Sequence, residues 1–219
     1  MGFRKGAARM EIIRSVELIS GKIRILFESG WIVWLKRNED PGFPLTEGTA
    51  VERKSFTKFI LLHQYPSALN AAVRMLAQRP CSRKEIEMHL TGARYSEETT
   101  EMVLYKLDQD HLLNDRDFAE QWVQSRSRKY GNNRIQQELR AKGIDSETAA
   151  DVLNHISEET QTENATAFAA RKIHSLKGTC ETGRMKQRII ASVVRRGYTW
   201  NTAIKAFEEA LRLENENRH

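Results

Sequence analysis

The residues in this chain best equipped to act on another molecule are cations. Between Arg126 and Lys142 stand six of them, Arg126, Arg128, Lys129, Arg134, Arg140 and Lys142, against one acid, Glu138. Between Arg171 and Arg196 there are eight against the single acid Glu181, and Arg184, Lys186, Arg188, Arg195 and Arg196 are the candidates there. Separating the two blocks, residues 145–163 carry six acids and no Lys or Arg. Guanidinium and ammonium groups gathered this way neutralise phosphates, and such binding weakens steeply as salt rises. They make and break no bonds. These eleven residues are the expected nucleic-acid or partner-binding surface.

Groups for covalent chemistry do not assemble in the sequence. There is no Gly-rich phosphate loop ending in Lys-Ser/Thr, no His-Glu-x-x-His pair and no nucleophile elbow. His63, His89, His111, His155, His174 and His219 are scattered without ligand spacing. Asp115 and Glu138 read as an N-cap-type acid and a helix-face carboxylate. The expectation is a binding protein with no catalytic residue, metal or cofactor.

Composition bounds the class. The chain has 219 residues, with 35 Lys+Arg against 29 Asp+Glu and a net charge of +6; its pI is near 9.4. That surplus favours polyanions or acidic partners. Cys81 and Cys180 lie far apart and in no motif, which reads as reduced thiols in a cytoplasmic protein. No apolar run approaches the roughly 18 residues that span a bilayer, so no membrane partner is expected. The start, Met1 to Gly6, is basic with no apolar stretch behind it, so no secretion signal is expected there. Gly6 stands where a myristoylation pattern needs Ser or Thr.

These cations must be positioned by a scaffold, and the pattern is legible. Residues 12–19, 23–28 and 31–36 are rich in β-branched and aromatic types and are separated by Ser20-Gly21-Lys22 and Ser29-Gly30, which predicts a three-strand meander. Ile23, Ile25 and Phe27 alternate with Arg24, Leu26 and Glu28, so one face is buried. Trp31 and Trp34, three apart, face opposite sides. Asp40-Pro41-Gly42-Phe43-Pro44 breaks the sheet, and a further short strand falls near residues 49–52. A helix over about residues 55–63 is expected to cover the sheet, with Pro66 ending it.

From Ser67 onward the helices come in threes. A step of 49 places Leu69 on Phe118, Val73 on Trp122, Ile86 on Ile135, Leu90 on Leu139, Tyr95 on Ile144 and Val103 on Val152. A step of 54 takes Ile135 to Ile189, Leu139 to Val193, Gly143 to Gly197, Ile144 to Tyr198 and Leu153 to Phe207. The first helix needs a step near 50, putting Phe118 on Phe168, so an insertion lies around residues 178–183. Ser82-Arg83-Lys84-Glu85 is a capping box, and Ser96, Asp145 and Thr199 are N-cap candidates. Gly131, Gly143 and Gly197 suit the left-handed position that ends a helix. Trp122, Phe118 and Phe207 read as core, while Tyr130 is better placed for exposure, a placement that a hydrophobic contact at the helix C-cap explains equally well. The expected organisation is a mainly α fold of three tandem three-helix repeats (residues 67–113, 114–163 and 164–219) in an elongated array. A β-rich region with its covering helix (residues 1–66) precedes them.

One ordered string is distinctive: Leu113-Asn114-Asp115-Arg116-Asp117-Phe118-Ala119, then Ser125-Arg126-Ser127-Arg128-Lys129-Tyr130-Gly131, Arg134-Ile135, and Glu138-Leu139-x-x-Lys142-Gly143-Ile144. It resembles the RecX family, regulators of the bacterial RecA recombinase. The match is strongest over residues 112–144 and continues across about 68–211. The resemblance implies tandem three-helix modules that lodge in the groove of a RecA filament and contact RecA and its single-stranded DNA. It implies altered filament growth or stability, with suppressed strand exchange, coprotease and ATPase activity, in DNA repair, recombination and the SOS response. A monomer is the expected state. The β-rich start lies outside the core motif, and the third copy shows only Arg195-Arg196-Gly197-Tyr198 as a clear signature. Two other readings stand beside it: a nucleic-acid-binding repeat protein with no recombinase partner, and a helical adaptor whose cations dock an acidic protein.

Overall fold

A computed structural model describes residues 9–37, 39, 41–176 and 182–216. Asp40, Cys180, His219, the basic start and most of the expected insertion lie outside them. Four strands and nine helices are seen among the described residues: β1 (Met10–Ile19), β2 (Lys22–Phe27), β3 (Ile32–Lys36), β4 (Ala50–Glu52), α1 (Arg53–Gln78), α2 (Arg83–Gly92), α3 (Glu97–Gln109), α4 (Asp115–Arg126), α5 (Asn132–Ala141), α6 (Ser146–Asn154), α7 (Glu158–Leu176), α8 (Thr182–Arg195) and α9 (Trp200–Glu216). The chain divides into two compact units, Met1–Leu113 and Asn114–His219.

In the first unit the strands form one antiparallel sheet in the order β3-β2-β1-β4. The meander therefore gains a fourth strand on its β1 edge. Ser20 and Gly21 both take positive φ (52° and 78°), the geometry of a two-residue hairpin turn whose twist matches its strands. The inner face buries Ile13, Ile25, Phe27, Val33 and Leu35 against Phe56 and Ile60 of α1. Burying each such side chain contributes roughly 1.5–3 kcal/mol, which a sheet this small needs. Trp31 joins this core, stacked on Phe27 at 4.8 Å with the Arg53 guanidinium 4.4 Å from its ring. Trp34 lies on the other face, with Arg94 5.1 Å from its ring.

Pro66 does not end the covering helix; it sits inside α1. The carbonyl left without a partner by a proline belongs to the residue four before it, here Leu62, which is 74% exposed. The gap thus faces solvent. One 26-residue helix covers the sheet with its first half and serves as the first helix of the first repeat with its second. Gln64, buried in mid-helix, ties the parts together. Its Nε2 donates to the Trp34 carbonyl at 2.7 Å, and its Oε1 accepts from the Ser96 amide at 2.8 Å. A second departure is Val73, which is 40% exposed although its repeat partner Trp122 packs against a core.

The expected caps are present: the Ser82–Glu85 capping box, Ser96 to Thr99, Asp145 to Thr148 and Thr199 to Thr202. In the second unit, α4–α6 enclose Phe118, Val123, Ile135, Leu139, Ile144 and Val152. Helices α7–α9 enclose Phe168, Ile173, Ile189, Val193, Tyr198 and Phe207. Gly143 and Gly197 take φ of 84° and 89° after the middle helices. In the first repeat that position is Arg94, at 69°. Gly131 differs from expectation: its φ is −78°, and it is the N-cap of α5. What requires a glycine there is space. A Cβ on Gly131 would lie 2.4 Å from the Gly197 carbonyl, and one on Gly197 would lie 2.4 Å from the Arg134 Cβ.

Candidate nucleic-acid interface

The turn after α4 meets the turn after α8. The Gly131 amide donates to the Arg196 carbonyl at 2.9 Å, the Asn133 amide to the Gly197 carbonyl at 3.2 Å, and Arg196 Nη1 to the Lys129 carbonyl at 2.9 Å. Gln161 adds a side-chain link, donating to Asn132 Oδ1 at 2.7 Å. Two strings far apart in sequence, one around Gly131 and one around Gly197, thus form a single joint between the second and third modules.

Several candidate cations are held within this joint. Arg126, Arg134 and Arg196 surround the Tyr130 ring, at 5.5, 4.0 and 5.7 Å from its centroid. Glu138 pins two of them: its carboxylate lies 3.1 Å from Arg126 Nε and 3.2 Å from Arg134 Nε. The same carboxylate accepts from the Trp122 indole N–H at 3.1 Å. Lys142 Nζ sits 4.2 Å from the Trp122 ring, and Arg196 sits 3.9 Å from that of Phe168. Tyr130 is half-buried at the hub of this array. A cation over an aromatic face contributes about 0.5–2 kcal/mol, more as water is excluded. The apolar parts of these side chains and their charges therefore stabilise the joint itself.

Other candidates face outward. Arg128, Lys129, Arg140, Arg184, Arg188 and Arg195 are exposed, and none of their side chains forms an ion pair among the described residues. Lys186 is exposed too, but its Nζ lies 3.5 Å from Glu208 of α9. The joint brings the side chains of Arg126, Arg134, Lys142 and Arg196 together with Trp122 and Tyr130, and Lys129 takes part through its backbone carbonyl. Arg188 and Arg195 share a separate cleft between α7 and α8 with Lys172. Arg128, Arg140, Arg184 and Lys186 fall in neither group. Sequence reasoning did not single out Lys172, Gln161 or the close glycine pair. It could have anticipated the Glu138 clamp, because Arg134 and Glu138 are four apart on one helix face.

Among the described residues no three His, Cys, Asp or Glu side chains are grouped to hold a metal ion. No described helix is long and apolar enough to cross a membrane. Exposed cations of this kind can hold a polyanion.

Comparison with known proteins agrees with this architecture. Residues 68–107 match the family model of the first three-helix domain of RecX, and residues 114–153 match that of the second. The chain is 32% identical over 151 residues to the regulatory protein RecX of Amycolatopsis mediterranei, covering 68% of this chain and 86% of that one. It is 33% identical over 148 residues to that of Mycobacterium leprae, covering 67% and 86%. A crystal structure of a regulatory protein RecX superposes with a TM-score of 0.63 at 22% identity, covering 89% of this chain and 98% of the other. RecX from Lactobacillus salivarius superposes with a TM-score of 0.62 at 23% identity, covering 68% and 97%. The two solved structures support the fold and the two relatives the lineage: the chain belongs to the RecX family.

Proposed function

We propose that this protein is a regulator of the RecA recombinase. It binds the RecA–DNA filament and alters its growth and stability, lowering ATP hydrolysis and strand exchange. The observation that carries this reading is a group of exposed cations on the second and third modules that have no acid partner among the described residues, Arg128, Lys129, Arg140, Arg184, Arg188 and Arg195 among them. They are distinct from the side chains engaged in the joint, Arg126, Arg134 and Arg196. A binder inhibits without catalysis when it favours one filament state over another, and its effect is bounded by its differential affinity for the two. Holding a filament state that cannot exchange strands, or blocking subunit addition at an end, would each do this.

The test is ATP hydrolysis by RecA on single-stranded DNA as this chain is added. The expected result is a dose-dependent fall that is lost when Arg128, Lys129 and Arg140 are replaced by glutamate. Unchanged hydrolysis at several-fold excess would overturn the reading. The same cations favour a second reading, a nucleic-acid binder with no recombinase partner. It predicts salt-sensitive DNA binding in the absence of RecA together with no effect on RecA.

A further inference from the structure

Modules two and three treat one place in the repeat in opposite ways. In the second module the position on the first helix that faces the middle helix is Trp122. Its indole donates to Glu138 of α5, and Lys142 closes over its ring. The space between α4 and α5 is plugged. The first-helix step of 50 carries Trp122 to Lys172, and the middle-helix step of 54 carries Glu138 to Ser192 and Arg134 to Arg188. The plug and the carboxylate are both absent. The result is an open cleft of about 420 Å³ between α7 and α8, lined by Lys172, Arg188 and Arg195 with Gln187, Ser192 and Leu176. Its volume lies within the roughly 300–1,000 Å³ of small-ligand sites.

The electrostatics of this cleft are one-sided. Three cations line it, and no acidic residue does among the described residues. None of the three is ion-paired there, whereas Arg134, the counterpart of Arg188, is pinned by Glu138. The other side of α7 is its reverse. The groove between α7 and α9 is lined by Glu158, Glu159, Glu163 and Glu209 with one lysine, Lys205. A polyanion approaching the third module is drawn to the α8 side and repelled from the α9 side. Gln187 and Ser192 offer neutral hydrogen-bonding groups, and Leu176 offers an apolar wall. A nucleotide presents that combination: a phosphate for the cations, polar edges for the amide and hydroxyl, and a flat base for the aliphatic surface.

We propose that the α7–α8 cleft is a nucleotide-phosphate site and that Lys172, Arg188 and Arg195 hold the phosphate. This deepens the proposed function, since it rests on the outward cations of the third module meeting nucleic acid. The ligand is either one unit of a single strand or a free nucleotide, and both present the same chemistry.

The experiment uses the full chain and two probes, fluorescein-labelled oligothymidylate followed by anisotropy and dTMP followed by calorimetry. Lys172→Ala removes one cation at an exposed position. Lys172→Trp with Ser192→Glu rebuilds the plug of the second module, and thermal melting checks that each variant folds. Loss of one charge-assisted contact is expected to weaken binding roughly five- to tenfold, with the plugged variant losing at least as much. A loss confined to the oligonucleotide assigns the site to a strand, and a saturable dTMP isotherm that Lys172→Ala weakens by that factor assigns it to a free nucleotide. Affinities within twofold of wild type for both probes in both folded variants would overturn the proposal. The two readings fail separately. Oligothymidylate binding that falls with Arg128→Ala and Lys129→Ala but not with the cleft variants sinks the cleft alone. Cleft variants that weaken binding while RecA hydrolysis never responds to the chain sink the recombinase reading alone.

Discussion

The second and third modules share a frame but differ in what fills it. Phe118 and Phe168, Ile135 and Ile189, and Leu139 and Val193 pack equivalent cores. Around those cores, the second module turns Arg126, Arg134 and Lys142 inward onto Trp122, Tyr130 and Glu138, whereas the third leaves the corresponding place open. The difference teaches that a basic block in a sequence is not one kind of thing. One carboxylate and one indole decide whether neighbouring arginines stabilise a joint or remain free for a ligand.

The comparison can be broken most severely at the joint. Gly197→Ala should destabilise the second unit by about 3 kcal/mol, because it combines a left-handed backbone with a collision against Arg134. Gly143→Ala, which shares the φ, should cost about 1 kcal/mol. Thermal denaturation of the two variants side by side checks the difference; equal losses would mean that the close approach carries no weight. Glu138→Ala comes next. It strands the Trp122 indole N–H and releases Arg126 and Arg134, so stability should fall by about 1–3 kcal/mol while oligonucleotide affinity rises. A parallel fall in both would show that those arginines do not reach the ligand.

Outward cations should behave in the reverse sense. Replacing Arg128, Lys129 and Arg140 by alanine should leave stability within about 0.5 kcal/mol. Each phosphate contact removed should lower the slope of log affinity against log salt by about 0.7 for a single strand. A salt series reads this directly. The smallest effect belongs to Tyr198, whose buried hydroxyl has no hydrogen-bond partner among the described residues and whose ionisation is pushed up by burial, partly offset by Arg196 and Arg171. Tyr198→Phe should leave the melting temperature unchanged or slightly higher; a clear fall would reveal a hydrogen bond not seen here.

The first unit supplies a pH contrast to the second. Glu11 is buried in the sheet region, and a hydrogen bond from Ser29, with Arg53 and Arg9 nearby, holds its carboxyl below the usual range despite burial. Because its folded value is depressed, its stabilising contribution is present above the ordinary carboxylate value and is lost as pH falls through the folded one. Glu11→Gln should flatten the acid limb of the first unit's unfolding curve, and an unchanged limb would place the titration elsewhere.

Much of this was readable from residue order. Apolar spacing of three and four, capping residues and glycines mark the helices of the three repeats, because each rests on interactions within a few residues of the chain. The alternation at Ile23, Ile25 and Phe27 marks the buried sheet face for the same reason. Pro66 misled because a helix interrupted at one hydrogen bond persists when packing on both sides holds it, and that packing involves the sheet and the first repeat together. Gly131 misled because a glycine can answer a crowding neighbour as well as a positive φ, and its neighbour is Gly197.

Sequence by itself determined the mainly α class, the repeat period and the segregation of charge, all of which follow from local periodicity and composition. Which cations are engaged and which are free was decided only in three dimensions. Ion pairs and ring contacts depend on distances of a few ångströms between residues such as Arg126 and Glu138 or Arg196 and Phe168, and no spacing along the chain encodes those.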